Sequence, residues 1–224
     1  MEKIKVLIAD DHTVVRQGLK ALLEAEPDIT IVGEAENGRQ ALRLALKLLP
    51  DVVVIDVAMP QLNGLEATRQ IIKEIPGIRV LVLSSYSDDE YVRQVTEAGA
   101  AGYLLKQTAA ADLIRAIREA RNGNAFFSPA ISKRLLENYR ETFMKGAPAG
   151  TRVDRLTSRE AEVLQLVAEG KVNKQISAEL CVSVKTVEKH RQQMMNKLNI
   201  HDVAGLTRYA ISKGIIESSV SPRL

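Results

Sequence analysis

Tryptophan is absent from the 224-residue chain, and Phe, His and Cys are scarce, with three, three and one residue respectively. The lone Cys181 excludes an internal disulfide framework and fits a reducing compartment. So few His and Cys argue against a zinc or haem site. No apolar run approaches the ~20 residues that span a bilayer, and Met1-Glu2-Lys3-Ile4 has no signal-peptide pattern, so a cytoplasmic chain without membrane contact is expected. Hydrophobic residues make up 46% and charged residues 26%, a balance suited to a globular protein with room for two cores.

The net charge of +3 is more informative when the chain is halved. Residues 1–122 hold 15 Lys and Arg against 18 Asp and Glu, whereas residues 123–224 hold 16 against 10. An acidic first half and a basic second half point to two domains, the second suited to nucleic acid.

The first half alternates strand and helix at short spacing, which predicts a parallel sheet with helices on both faces. Its clearest strand is Val52-Val53-Val54-Ile55, four β-branched residues in a row, followed by Asp56. In such sheets ligands bind at the C-terminal strand edge. Strand one, Ile4 to Ala9, ends in Asp10-Asp11. Strand four, residues 80–83, ends in Ser84-Ser85, and strand five, Gly102 to Leu105, ends in Lys106. Helices are expected over residues 14–26, 39–49, 65–75 and 110–121, with another ending at Ala98. Three carboxylates, a hydroxyl and an ammonium therefore converge on one edge. Like charges at close range raise each other's pKa unless a cation neutralises them. Oxygen donors of this kind suit Mg²⁺, and the whole set suits a phosphoryl group held on Asp56. Any one of these acids alone also reads as a helix cap; the convergence carries the argument.

After Phe126 the pattern changes. Ser128-Pro129 starts a helix with Ile131, Leu135, Leu136 and Tyr139 at helical spacing, and residues 145–151 are small and linker-like. Thr157-Ser158-Arg159-Glu160 is a capping box, opening a helix that runs to Gly170. A short helix over residues 173–180, one capped by Ser183 and a fourth capped by Asp202 follow. The turn Cys181-Val182-Ser183, with Cys181 expected to be buried, makes a helix-turn-helix candidate whose following helix enters the major groove. Between Lys171 and Lys197 stand six Lys and Arg against Glu179 and Glu188. On the helix after the turn, Val187, Met194, Met195 and Leu198 form an inward stripe, with Lys185, Glu188, Lys189, Arg191 and Gln192 opposite.

The residues Asp10-Asp11, Asp56, Met59-Pro60, Asn63-Gly64, Ser84 and Gly102-Tyr103-Leu104-Leu105-Lys106 resemble the receiver domain of a two-component response regulator. The run from Leu156-Thr157-Ser158-Arg159-Glu160 through Asn173-Lys174, Thr186-Val187 and His190 to Lys197-Leu198 is similar to the LuxR-type helix-turn-helix. Together they resemble the NarL/FixJ class over nearly the whole chain. The resemblance implies an α/β, flavodoxin-like, doubly wound five-stranded parallel domain in strand order 2-1-3-4-5, followed by an all-α four-helix module. The domains implied are a receiver over residues 1–124, a linker helix and linker over 125–151, and the DNA-binding module over 152–218.

It further implies that Asp56 is the phosphoacceptor, with Asp10, Asp11, Asp56 and the Ala58 backbone carbonyl as Mg²⁺ ligands. Ser84 and Tyr103 become the switch residues and Lys106 the phosphate-pairing lysine. Gln107 stands where many receivers carry proline. In the second module, Glu188, Lys189 and Gln192 are the base-edge candidates. Lys171, Asn173, Lys174, Lys185, Thr186 and Arg191 are the phosphate-contact candidates. Glu188 has a second reading, as an ion-pair partner of Lys185 or Arg191. Ser177 and Gln175 replace the family's usual Ala and Glu. The function implied is a DNA-binding transcriptional regulator, not an enzyme, activated by a sensor histidine kinase and forming a homodimer when phosphorylated or on DNA. Val203, Leu206 and Ile211 are the expected contact between DNA-bound modules. A phosphatase using Asp56 as nucleophile would need an acid two residues on, where Ala58 stands. A regulator switched by protein contact alone is the remaining alternative.

Overall fold

In this computed structural model, residues 2–85, 89–107, 110–128, 131–133 and 156–216 are described. The N-terminal part alternates β1 (Ile4–Ala9), α1 (Thr13–Glu24), β2 (Ile29–Ala35), α2 (Gly38–Leu48), β3 (Val52–Asp56), α3 (Gly64–Glu74), β4 (Arg79–Ser84), α4 (Asp89–Glu97), β5 (Gly102–Leu105), α5 (Ala110–Arg121) and β6 (Phe126–Phe127). All pairings are parallel, in the order β2-β1-β3-β4-β5-β6. The expected order 2-1-3-4-5 holds. The sheet nevertheless has six strands rather than five, because Phe126 and Phe127 pair with Gly102 and Tyr103. A two-residue strand carries no alternation that sequence could reveal.

Every residue of β3 is buried. Val53 and Ile55 join one core, with α2 and α3; Val52 and Val54 join the other, with α5 and Leu23 of α1. Successive side chains leave a strand on opposite faces, so an unbroken β-branched run is what a sheet covered on both sides requires. Each such side chain stabilises the fold by about 1.5–3 kcal/mol when fully buried. That packing presses Asp56 to the end of a rigid strand.

The helical part comprises α6 (Ser158–Ala168), α7 (Asn173–Glu179), α8 (Val184–Leu198) and α9 (Val203–Ser212). Thr157 and Glu160 cap each other's backbone amides in the expected box, and Ser183 and Asp202 cap α8 and α9. Val163, Leu166, Ile176, Val187, Met194 and Leu206 centre its core. Cys181 is exposed, not buried: it takes φ +52 just after α7, a left-handed position that turns its side chain outward. Leu206 is fully buried in this core, so of the three residues expected at a module contact only Val203 and Ile211 face outward. Of the helix expected from Ser128-Pro129, Ile131 is buried; Leu135, Leu136 and Tyr139 and the 145–151 linker lie outside the described residues.

The two parts touch directly. Gln165 on α6 accepts from the Asn63 backbone N–H at 2.8 Å and donates to the Met59 carbonyl at 2.8 Å. Glu162 meets both Arg39 and Gln70 at 3.0 Å.

Candidate functional site: an acidic strand edge and a basic helix face

β1 ends by delivering Asp10, 1% exposed, and β3 by delivering Asp56, 4% exposed. β5 runs out into Lys106, whose Nζ lies 2.8 Å from Asp56 Oδ2 and 2.9 Å from Asp10 Oδ2. The ammonium thus sits between two buried carboxylates. Asp56 Oδ1 accepts from the Val57 N–H at 2.8 Å. Burial pushes the Asp56 carboxyl up to about 6, and Asp10 adds to the rise while Lys106 opposes it. Burial lowers Lys106, but Asp56 and Asp10 outweigh it and hold the ammonium above its ordinary value.

Ser84 ends β4 and is buried; its carbonyl accepts from the Lys106 N–H at 2.8 Å, placing the two residues side by side at the same edge. Ala58 is 5% exposed, two residues beyond Asp56. Tyr103 is fully buried in the core shared with α3 and α4. Gly64 closes the loop after β3 by donating to the Val57 carbonyl at 2.7 Å, and a Cβ there would stand 1.8 Å from the Asp56 carbonyl oxygen. Asn63-Gly64 belongs to the receiver-like motif, and this close backbone approach is its physical content.

Two further neighbours adjoin the cluster. His12 precedes α1 and is half exposed, and its Nδ1 lies 2.9 Å from Asp11 Oδ1 and 3.3 Å from Asp10 Oδ1. Arg16, on α1, is buried and donates to the Asp10 carbonyl at 2.8 Å and to Glu36 at 3.0 Å. Its sequence signal is spacing: Arg16 stands at i, i+3, i+7 with Leu19 and Leu23, on the apolar face of the helix.

Ligand atoms of Asp10, Asp11, His12 and Asp56 lie within 4.8 Å of one another. The donor set fits a hard divalent cation. It is carboxylate-rich, and the buried Asp10 Oδ2 is met at 2.9 Å by the Lys106 ammonium, a charge a bound cation could replace.

On the helical part, Lys185, Glu188, Lys189 and Gln192 of α8 are exposed on one side. Glu188 makes no ion pair with Lys185 or Arg191 among the described residues; Arg191 donates instead to Asn173 Oδ1 at 2.6 Å. Lys171, Asn173, Lys174 and Arg191 line one open groove with Val172 and Val184. Lys171 is partly engaged, pairing with Glu179. Thr186 bonds Ser183 at the start of α8. His190 is half-buried, with Nδ1 in the interior. Gln175 caps the Val172 N–H and Ser177 bonds the Lys174 carbonyl, so both departures from the family pattern keep local partners.

Residues 6–118 match the response regulator receiver domain, and residues 154–210 match the luxR family of bacterial regulatory proteins. The chain is a LuxR-family response regulator. The transcriptional regulatory protein LiaR of Bacillus subtilis is 42% identical over 207 residues, covering 92% of this chain and 96% of LiaR. The response regulator protein VraR of Staphylococcus aureus is 36% identical, covering 96% of this chain and 99% of VraR. Among solved structures, RcsB of Salmonella enterica bound to promoter DNA with a beryllofluoride phosphomimetic matches with TM-score 0.60 and 28% identity, over 93% of this chain and 98% of RcsB. The response regulator ChrA of a heme-sensing two-component system matches with TM-score 0.52 and 31% identity, over 96% of this chain and all of ChrA. As a response regulator of this kind, the protein is a DNA-binding transcription regulator and not an enzyme. No helix among the described residues is long and apolar enough to cross a membrane.

Proposed function

We propose that this regulator is switched by phosphoryl transfer from the phosphohistidine of a sensor kinase to Asp56. The observation that supports the reading is the Lys106 ammonium bridging the buried Asp10 and Asp56 carboxylates. An Asp56 oxygen attacks phosphorus, the P–N bond to the kinase imidazole breaks, and an acyl phosphate remains on the strand end. Asp10, Asp11 and Asp56, with the Ala58 carbonyl, would hold Mg²⁺, which supplies positive charge against the phosphoryl oxygens. Lys106 moves its charge from carboxylate to phosphoryl, and Ser84 donates a hydrogen bond. Tyr103, on β5 and buried in the core with α3 and α4, follows that rearrangement as the switch aromatic.

The receiver spans residues 1–124, the linker helix and linker 125–151, and the DNA-binding module 152–218. In that module, Lys189, Gln192 and Glu188 read base edges, while Lys171, Asn173, Lys174, Lys185, Thr186 and Arg191 hold phosphates. The DNA-bound form is a homodimer, and the lone exposed thiol Cys181 suits the reducing cytoplasm.

Kinase-dependent, acid-labile phosphate should appear on the wild type and be lost in Asp56→Asn, read by radiolabel or phosphate-affinity gel. Retained labelling would move the acceptor elsewhere. Light scattering after gel filtration, with Mg²⁺ and beryllofluoride, should show a monomer-to-dimer shift that requires Asp56.

A further inference from the structure

The loop that leaves Asp56 is held from the other domain. The Met59 carbonyl accepts from Gln165 Nε2 at 2.8 Å, and Asn63 donates to Gln165 Oε1 through both its backbone N–H at 2.8 Å and its side-chain Nδ2 at 3.1 Å. Gln165 is fully buried, and its Nε2 also donates to Glu169 at 2.9 Å. Glu169 in turn accepts from the Gln61 N–H at 2.9 Å. Gln61 has φ +67, a left-handed conformation that a non-glycine residue keeps only when held. The gripped segment begins one residue after Ala58, whose carbonyl belongs to the metal site under the reading above.

Docking does not cover the DNA-reading surface. With Gln165 seated, Lys185, Glu188, Lys189 and Gln192 on α8 all remain exposed. The contact therefore leaves these side chains open to solvent, and what it acts on is the loop.

We infer that Gln165, supplied by the DNA-binding module, is a positioning residue of the phosphoacceptor site. It orders the Met59–Asn63 segment so that Mg²⁺ binding at Asp10 and Asp56 and docking of α6 favour each other. The inference rests on the proposed phosphoacceptor reading. A loop already ordered by a buried amide loses less freedom when its carbonyl takes a metal, so docking strengthens metal binding; linkage then requires metal to strengthen docking by the same factor. The docked arrangement, with α8 open to solvent, is then the one that Mg²⁺ binding stabilises.

The test titrates MgCl₂ calorimetrically into the full chain as wild type, Gln165→Ala, Glu169→Ala and Asp56→Asn, and follows hydrogen exchange at the Asn63 amide. Gln165→Ala should weaken Mg²⁺ binding by about fivefold or more. Saturating Mg²⁺ should slow Asn63 exchange in the wild type and leave it fast in Gln165→Ala. Glu169→Ala, which removes the acceptor of the Gln61 amide and one acceptor of Gln165 Nε2 but keeps the Gln165 bonds to Met59 and Asn63, should move both readouts in the same direction by less. It keeps the inference testable if the first variant folds poorly. An unchanged or tighter Mg²⁺ affinity in both variants overturns the inference. Kinase-dependent, acid-labile phosphate that persists in Asp56→Asn overturns the phosphoacceptor reading instead, so the two failures are distinguishable.

Discussion

At the acidic sheet edge Asp10 and Asp56 are almost wholly buried, whereas on α8 the residues Lys185, Glu188, Lys189 and Gln192 stand in solvent. A buried carboxylate needs a partner, and here one ammonium answers two of them. The residues at that edge are consequently few, coupled, and sensitive to any change of charge. On α8 Lys185, Glu188 and Lys189 are hydrated, and Gln192 bonds its helix neighbour Asn196 at 2.9 Å. The helix spends little of the fold's stability on its charges and keeps them for an external polyanion. One region converts a single covalent change into a rearrangement; the other sums many weak contacts.

The sharpest way to break the acidic edge leaves its charges alone. Gly64→Ala places a Cβ 1.8 Å from the Asp56 carbonyl oxygen, a backbone atom that cannot move aside. It should destabilise the fold by more than about 3 kcal/mol in denaturant unfolding. The same edge predicts a pH signature. The folded Asp56 carboxyl titrates at about 6 against an ordinary 3.8, so the unfolded chain loses its proton first as pH rises. Stability without metal should therefore fall between pH 4 and pH 6 and stay low above that window, by up to about 3 kcal/mol. Asp56→Asn should flatten this slope and raise the melting temperature at pH 7 without Mg²⁺, while at pH 4 it should change little. A wild type that gains stability relative to Asp56→Asn as the pH rises through this window would contradict the burial argument.

On the basic side, Lys189→Ala should weaken binding to the cognate promoter by about tenfold while barely changing binding to random duplex. Lys174→Ala should weaken both alike and reduce the salt slope by about one. Equal losses for the two variants on both DNAs would erase the distinction between base-reading and phosphate-holding residues. Smallest of all, Gly18→Ala in α1, where an added Cβ meets nothing within 4 Å, should stabilise by about 0.5–1 kcal/mol. Set beside Gly64→Ala, it shows that one substitution changes sign between open helix surface and the back of the site.

Much of this was legible in the sequence because it is local or periodic. The unbroken run Val52-Val53-Val54-Ile55 has one explanation, a strand covered on both faces, and the covering cores are present. The Thr157–Glu160 box is written in four consecutive residues and forms as written. Cys181 was misread because an apolar-looking turn residue gives no sign of the left-handed backbone that points it outward. Leu206 was assigned to a contact between modules because helical spacing shows that a residue faces a partner, not which partner.

By itself, the sequence determined the alternation of elements, the caps, the charge division and the arrival of Asp10, Asp56, Ser84 and Lys106 at one edge. Each of these follows from spacing along the chain and from the common direction of parallel strands. Only the tertiary structure decided that Lys106 bridges two carboxylates, that Arg16 supports Asp10 from behind, and that Gln165 grips the loop beyond Asp56. The reason is distance in sequence. Gln165 and Asn63 are 102 residues apart, and no periodicity relates a polar side chain on one domain's helix to an orphan amide in another domain's loop. Such a contact exists because buried backbone groups must find partners, and which partner is reached depends on how two separately folded surfaces meet.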